Sequence, residues 1–154
     1  MSFADYHFVT HWRVRGPIQT VYAILKDGAG YSRWWKPAYL QTEIVGPQFV
    51  RSLVRAKFPY TRDFKTELVR ENPPRELELR ASGDLTGRGL WKLRQEGDIT
   101  AVDFYWDVRA EKMVVKLLSP FLRFFFQWNH DWVMRVGEKG LRKELTRNNP
   151  VQGG

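Results

Sequence analysis

The chain has 154 residues, 43% of them hydrophobic and 27% charged, with a net charge of +8 and no cysteine. That length suits one domain with a buried core, and the absence of cysteine excludes disulfides, thiolate nucleophiles and cysteine-bound metals and fits a reducing cytosol. No run of 18 uncharged apolar residues exists to span a membrane, because the most apolar stretch, Met113 to Trp128, is interrupted by Lys116, Pro120 and Arg123.

The opening residues, MSFADYHFVTHW, lack a basic segment leading into an apolar run, so no signal peptide is expected and a cytoplasmic location is. His7 to Arg15 alternates: Phe8, Thr10, Trp12 and Val14 point one way, and His7, His11, Arg13 and Arg15 the other. This pattern predicts a half-buried strand. In GPIQTVYAILKDG, Ile18, Val21, Tyr22 and Leu25 recur at helical spacing between Pro17 and Gly28, which fit a helix start and stop. A shorter helix, YSRWWK, stops at Pro37.

Six strands then follow, separated by Gly, Pro and Asn turn signals every ten to fourteen residues, as in an antiparallel meander. Their alternation turns one face inward, with Val50, Ser52 and Val54; Phe64, Thr66 and Leu68; Leu77, Leu79 and Ala81; Trp91 and Leu93; and Phe104, Trp106 and Val108. Gly87 and Gly89 fall on the same face, where a missing side chain leaves room. EKMVVKLL predicts a helical turn or two. Ser119-Pro120 then opens a long helix to about Leu145. On that helix Phe121, Phe125, Trp128, Trp132 and Val136 share one broad arc, and Arg123, Gln127, Asp131, Glu138 and Arg142 the opposite one. Asn129 falls inside the apolar arc and His130 at its edge. Asn129 either bonds a core partner or faces a cavity. One domain is expected over residues 1–146, with a flexible tail over 147–154.

The order strand, two helices, six strands, long helix is that of a seven-stranded curved antiparallel sheet wrapped around a C-terminal helix, an α+β helix-grip fold. The opening strand into GPIQTVYAIL, YSRWWKP, SGDLTGRGLWKL with DFYWDV, and LLSPFLRFFFQWNHDWVMRVGEKGLRKEL carry a resemblance to the START-like (SRPBCC) superfamily, in particular its polyketide cyclase/dehydrase-type members. The resemblance implies a deep cavity between sheet and long helix that takes a lipid, quinone or polyketide-like molecule. It puts Trp12, Phe58, Phe64, Trp91, Trp106, Phe125, Trp128 and Trp132 near that cavity, with Trp34 or Trp35 in its lid.

Other chemistry is poorly supported. His7 and His11, four apart on a strand, lie about 13 Å apart and cannot share a metal ion. No HExxH, GxSxG or phosphate-loop motif occurs. No metal or cofactor is expected. Candidates for acid–base or polar ligand contacts are Asn129, His130, Tyr60, Arg62, Asp63 and Asp84, and Arg62 suits a ligand carboxylate. The leading expectation is binding of a hydrophobic or amphipathic small molecule. Alternatives are a cyclase or dehydratase working without metal or covalent nucleophile, and an interaction module on ribosome or membrane. Scattered positive charge without an RNA-stacking motif argues against nucleic acid, and leaves a peripheral anionic membrane as an alternative partner. No feature of the sequence specifies an oligomeric state.

Overall fold

The first and last strands of the sheet-forming region pair over their whole length. β1 (Phe3–Arg15) runs antiparallel to β7 (Ile99–Glu111), in register from Phe3 opposite Glu111 to Arg15 opposite Ile99. The computed structural model describes residues 3–55, 61–111 and 122–148. Between the paired ends lie α1 (Ile18–Lys26), a 3-10 turn (Gly28–Gly30) and α2 (Tyr31–Trp34). There follow β2 (Tyr39–Gly46), β3 (Phe49–Arg55), β4 (Thr61–Asn72), β5 (Glu76–Gly83) and β6 (Leu85–Glu96). The sheet order is β1-β7-β6-β5-β4-β3-β2, a meander closed on one side by the long-range pairing of β1. The last element is the helix α3 (Leu122–Asn148). This is the helix-grip arrangement that the order of elements implies.

Local chemistry explains the boundaries. Gly97 adopts φ +65 in the two-residue connection from β6 to β7, a conformation open to glycine at no steric cost. Pro17 sits one residue before α1 with extended backbone, and Lys26 occupies the last turn, favourable to the helix dipole. Glu111, the first residue of the expected helical stretch EKMVVKLL, ends β7 instead; the rest of that stretch and the expected helix start at Ser119-Pro120 lie outside the described residues. Arg147 and Asn148, expected in a tail, continue α3.

Among the described residues the buried apolar side chains form two clusters. A main cluster gathers Trp12, Val14, Val21, Leu25, Trp35, Leu77, Trp91 and Leu141 where α1, α2 and the second half of α3 pack on the sheet. A small cluster, Phe8 and Val108, lies elsewhere on the same face, and Trp106 touches both. Within the main cluster the Trp12 and Trp35 rings meet edge-on at 5.6 Å, and Trp12 lies 5.5 Å from Trp91.

Two glycines decide how α3 sits. A Cβ at Gly137 would come within 2.5 Å of the Trp35 indole, and one at Gly140 would overlap the Trp34 carbonyl oxygen. With hydrogen there, α2 lies directly on the long helix, and Trp35 donates its Nε1–H to the Val133 carbonyl at 2.8 Å. Arg33 donates to Glu144, which is only 3% exposed, through Nε at 2.9 Å. The buried face of α3 therefore runs through Asn129, Met134, Gly137, Gly140, Leu141, Glu144 and Leu145. This corrects the expected arc: Trp128 is 45% exposed, and Trp132 and Val136 are only partly buried. Trp132 and Val136 lie toward one edge of the contact, Trp128 lies on the outward side, and Gly137 and Gly140 sit at the centre of the contact with α2.

Candidate functional site

Between the concave sheet and α3 lies a cavity of about 500 Å³. Residues of both apolar clusters line it, among them Trp91 and Trp35 from the larger and Phe8 and Val108 from the smaller. The sheet supplies an aromatic run along its floor. Trp91 stacks on Phe104 with ring centres 4.0 Å apart, Phe104 on Trp106 at 5.6 Å, and Trp106 lies 6.2 Å from Phe64. Strand periodicity positions all four, since they occupy inward sites on β4, β6 and β7. Trp35 and Tyr39 form the wall on the α2 side, and Asn129, His130, Val133 and Met134 the wall on α3.

Gly89 serves this floor differently from the expectation of spare room. A Cβ there would lie 3.0 Å from the Trp106 ring and 3.2 Å from Phe104. The space released by the glycine is taken by the ring of its cross-strand partner Trp106. At Gly87 a Cβ would collide with the backbone of β7. Both glycines permit close approach within the protein.

Few polar groups reach the wall. Ser52, Arg62 and Thr66, on β3 and β4, are among the polar residues that line the cavity. Burial raises the Tyr39 hydroxyl well above its ordinary range, so it remains a neutral donor. His130 stacks face to face on Phe8, centres 4.0 Å apart. The residue is partly exposed, but both ring nitrogens are covered and find no hydrogen-bond partner among the described residues. Burial lowers its pKa from 6.5 to about 4, against a small opposing effect of Asp131, so the ring is neutral at pH 7. The Trp91 Nε1–H is likewise covered and unpartnered among the described residues. Asn129 is 3% exposed and lines the cavity.

The rim is charged. Lys26, Asp27 and Glu71 line its outer part. Glu71 accepts from the Tyr22 hydroxyl at 2.7 Å and pairs with Lys26 at 3.1 Å, and these two hydrogen bonds lower its pKa. Ile44 lines the cavity and is 69% exposed, which locates it at the mouth.

Of the residues expected near a ligand, Trp35, Arg62, Phe64, Trp91, Trp106 and Asn129 line the cavity. Trp12 lies in the core behind Trp35 and Trp91. Trp34 is buried against Trp35 with ring centres 5.2 Å apart. Trp132 packs against the main core and Trp128 is on the outward side of α3. Phe58, Tyr60 and the Phe125 side chain lie outside the described residues. Asp63 accepts two bonds from Arg51, at 2.9 and 2.6 Å, on the exposed side of the sheet, and its backbone N–H donates to Asp84. That pair ties β4 to the turn before β6, away from the cavity. Sequence reading passed over Tyr39 and Met134 as wall residues. Their only signal was hydrophobic spacing, which core residues share.

His7 and His11 face outward and pair through Nδ1 with Asp107 at 2.8 Å and Asp103 at 2.6 Å. Among the described residues no group of three or more His, Asp or Glu side chains is arranged to hold a metal ion. No helix among them is long and apolar enough to cross a membrane.

Comparison with known proteins agrees with this architecture. Residues 6–148 match the family model described as polyketide cyclase/dehydrase and lipid transport. The fold is similar to that of the Zhui aromatase/cyclase from Streptomyces sp. R1128, at TM-score 0.75 and 19% identity over 98% of this chain and 99% of that one. A START superfamily protein from Mycobacterium smegmatis aligns at TM-score 0.75 and 16% identity, over 93% and 99% of the two chains. A conserved protein from Geobacillus kaustophilus aligns at TM-score 0.74 and 14% identity, over 92% and 96%. No curated protein matches the chain by sequence.

Proposed function

Because the chain belongs to the polyketide cyclase/dehydrase and lipid transport family of the START-like superfamily, we propose that it binds a hydrophobic or amphipathic small molecule between its sheet and α3. The observation that carries this reading is the 500 Å³ cavity itself. Small-molecule sites commonly span roughly 300–1,000 Å³ with mostly apolar walls and a few polar groups. Flat rings on the floor suit a planar or extended apolar body, which would lie against Trp91, Phe104 and Trp106. Ser52, Thr66, Arg62 and Asn129 would meet its oxygens. Trp35 would act as a fixed wall, since its indole N–H is already committed to α3.

Binding without turnover is favoured over a cyclase or dehydratase reading. General acid–base work on a flexible substrate needs two convergent ionisable groups. Of the ionisable side chains lining the cavity among the described residues, His130 is neutral with both nitrogens covered, Tyr31 and Tyr39 are held protonated by burial, Lys26, Asp27 and Glu71 sit at the rim, and Arg62 is a poor proton donor. The experiment is extraction of freshly purified protein into organic solvent, followed by mass spectrometry, with titration of an environment-sensitive apolar dye into the stripped protein. A copurified apolar compound, displaced in proportion by the dye, is the expected result. Protein that neither carries an extractable compound nor takes up the dye would overturn the proposal.

A further inference from the structure

The outward face of α3 is not an ordinary solvated helix surface. Phe124 is 79% exposed and Trp128 45%. Trp132 continues the same stripe, partly exposed, and is followed by exposed Arg135, Lys139 and Lys143. At about 100° per residue these six positions fall within an arc of about 100°, along roughly 28 Å of helix axis. Single exposed apolar residues need no explanation, but two aromatic rings one turn apart on a helix form a patch. The stripe contains no acid. Its neighbours Asp131 and Glu138 are already engaged: Asp131 accepts from the Gln127 amide at 2.6 Å, and Glu138 from Arg142 at 3.3 Å.

We propose that this stripe docks on the surface of an anionic phospholipid bilayer. Its chemistry is complementary to that surface in two ways. Phenyl and indole rings settle at the boundary of headgroups and acyl chains, where their apolar bodies are buried and the indole edge stays near polar groups. Arg135, Lys139 and Lys143 then lie where they meet lipid phosphates, within the field of a negative leaflet. The chain's net charge of +8 adds long-range attraction to the same surface. Among the described residues the inner face of the helix is spent on the core and the cavity wall, and docking uses positions on the exposed face. The inference does not depend on the cavity being occupied.

The test is sedimentation of the full chain with vesicles of phosphatidylcholine alone and of phosphatidylcholine mixed with phosphatidylglycerol, at low and moderate salt. The expected result is binding to the anionic vesicles only, weakening as salt rises. The Phe124→Ser/Trp128→Ser variant should bind more than about ten-fold more weakly, from the lost apolar burial. Lys139→Gln and Lys143→Gln should each cost about five-fold. All four positions are at least partly exposed, so circular dichroism should report unchanged folding. Phe124→Ser alone, at the most exposed ring, guards against an effect of Trp128 on packing. Three results would each overturn the proposal: no wild-type binding, binding indifferent to the aromatic substitutions, or binding to single-stranded RNA in place of vesicles.

Discussion

Replacing His130 with Phe should flatten the acid limb of the protein's stability curve. The ring is stacked on Phe8 with both nitrogens covered, and its pKa falls from 6.5 in the unfolded chain to about 4 in the fold. As pH drops below 6.5 the unfolded state takes up a proton that the folded state refuses until about pH 4. Stability is therefore full above pH 6.5 and declines between 6.5 and 4. One pH unit of separation is worth about 1.36 kcal/mol, so the whole effect is about 3 kcal/mol, of which about 2.5 has been lost by pH 4.5. That is a large share of a typical domain's 5–15 kcal/mol. Phe keeps the stack and removes the titration. Urea unfolding of both proteins at pH 7.5 and 4.5 isolates the difference. Carboxylates such as Asp63 and Glu96, lowered chiefly by hydrogen bonds from Arg51 and from Arg13, lose their contribution as pH falls further, but do so in both proteins and cancel. The wild type should lose about 2.5 kcal/mol more than the variant between the two pH values. Parallel losses, or a His130 proton titrating near 6.5 by NMR, would refute the reasoning.

Three further outcomes follow from the packing. Gly140→Ala gains about 1 kcal/mol of helix propensity but drives a methyl into the Trp34 carbonyl; a net loss of about 1–3 kcal/mol is expected in urea unfolding, and a stabilised variant would mean α2 does not sit on α3. Arg33→Ala strips the guanidinium from the nearly fully buried Glu144 and should cost about 2 kcal/mol, with Glu144→Gln costing distinctly less; equal costs would show that the carboxylate is hydrated. Thr66→Leu adds apolar volume at the cavity floor, where the present hydroxyl has only a long 3.5 Å contact to the Val50 carbonyl. It should change stability by no more than about 1 kcal/mol while markedly weakening uptake of an apolar dye, and undiminished uptake would place the binding site elsewhere.

The strands were legible from the residues alone, and for a geometric reason. A strand's side chains alternate with a period of two, so a run of apolar residues at every second position assigns the whole face. Phe64, Thr66, Trp91, Phe104 and Trp106 face inward as alternation requires. Turn residues such as Gly97 act locally and are read locally. The face of α3 was another matter. Its apolar residues cover so wide an arc that periodicity alone cannot choose a centre, and the true centre holds Gly137 and Gly140, which carry no hydrophobic signal. Their meaning exists only once α2, about a hundred residues earlier in the chain, lies against them. The same holds for the inward tryptophans. Trp12 and Trp91 look alike in sequence, yet the docking of Trp35 leaves one in the core and the other on a cavity wall, because packing is settled by distant neighbours competing for one volume. Sequence thus determines which way each strand's side chains point, through short-range stereochemistry; which of them meet empty space is decided by long-range contacts that no local pattern encodes.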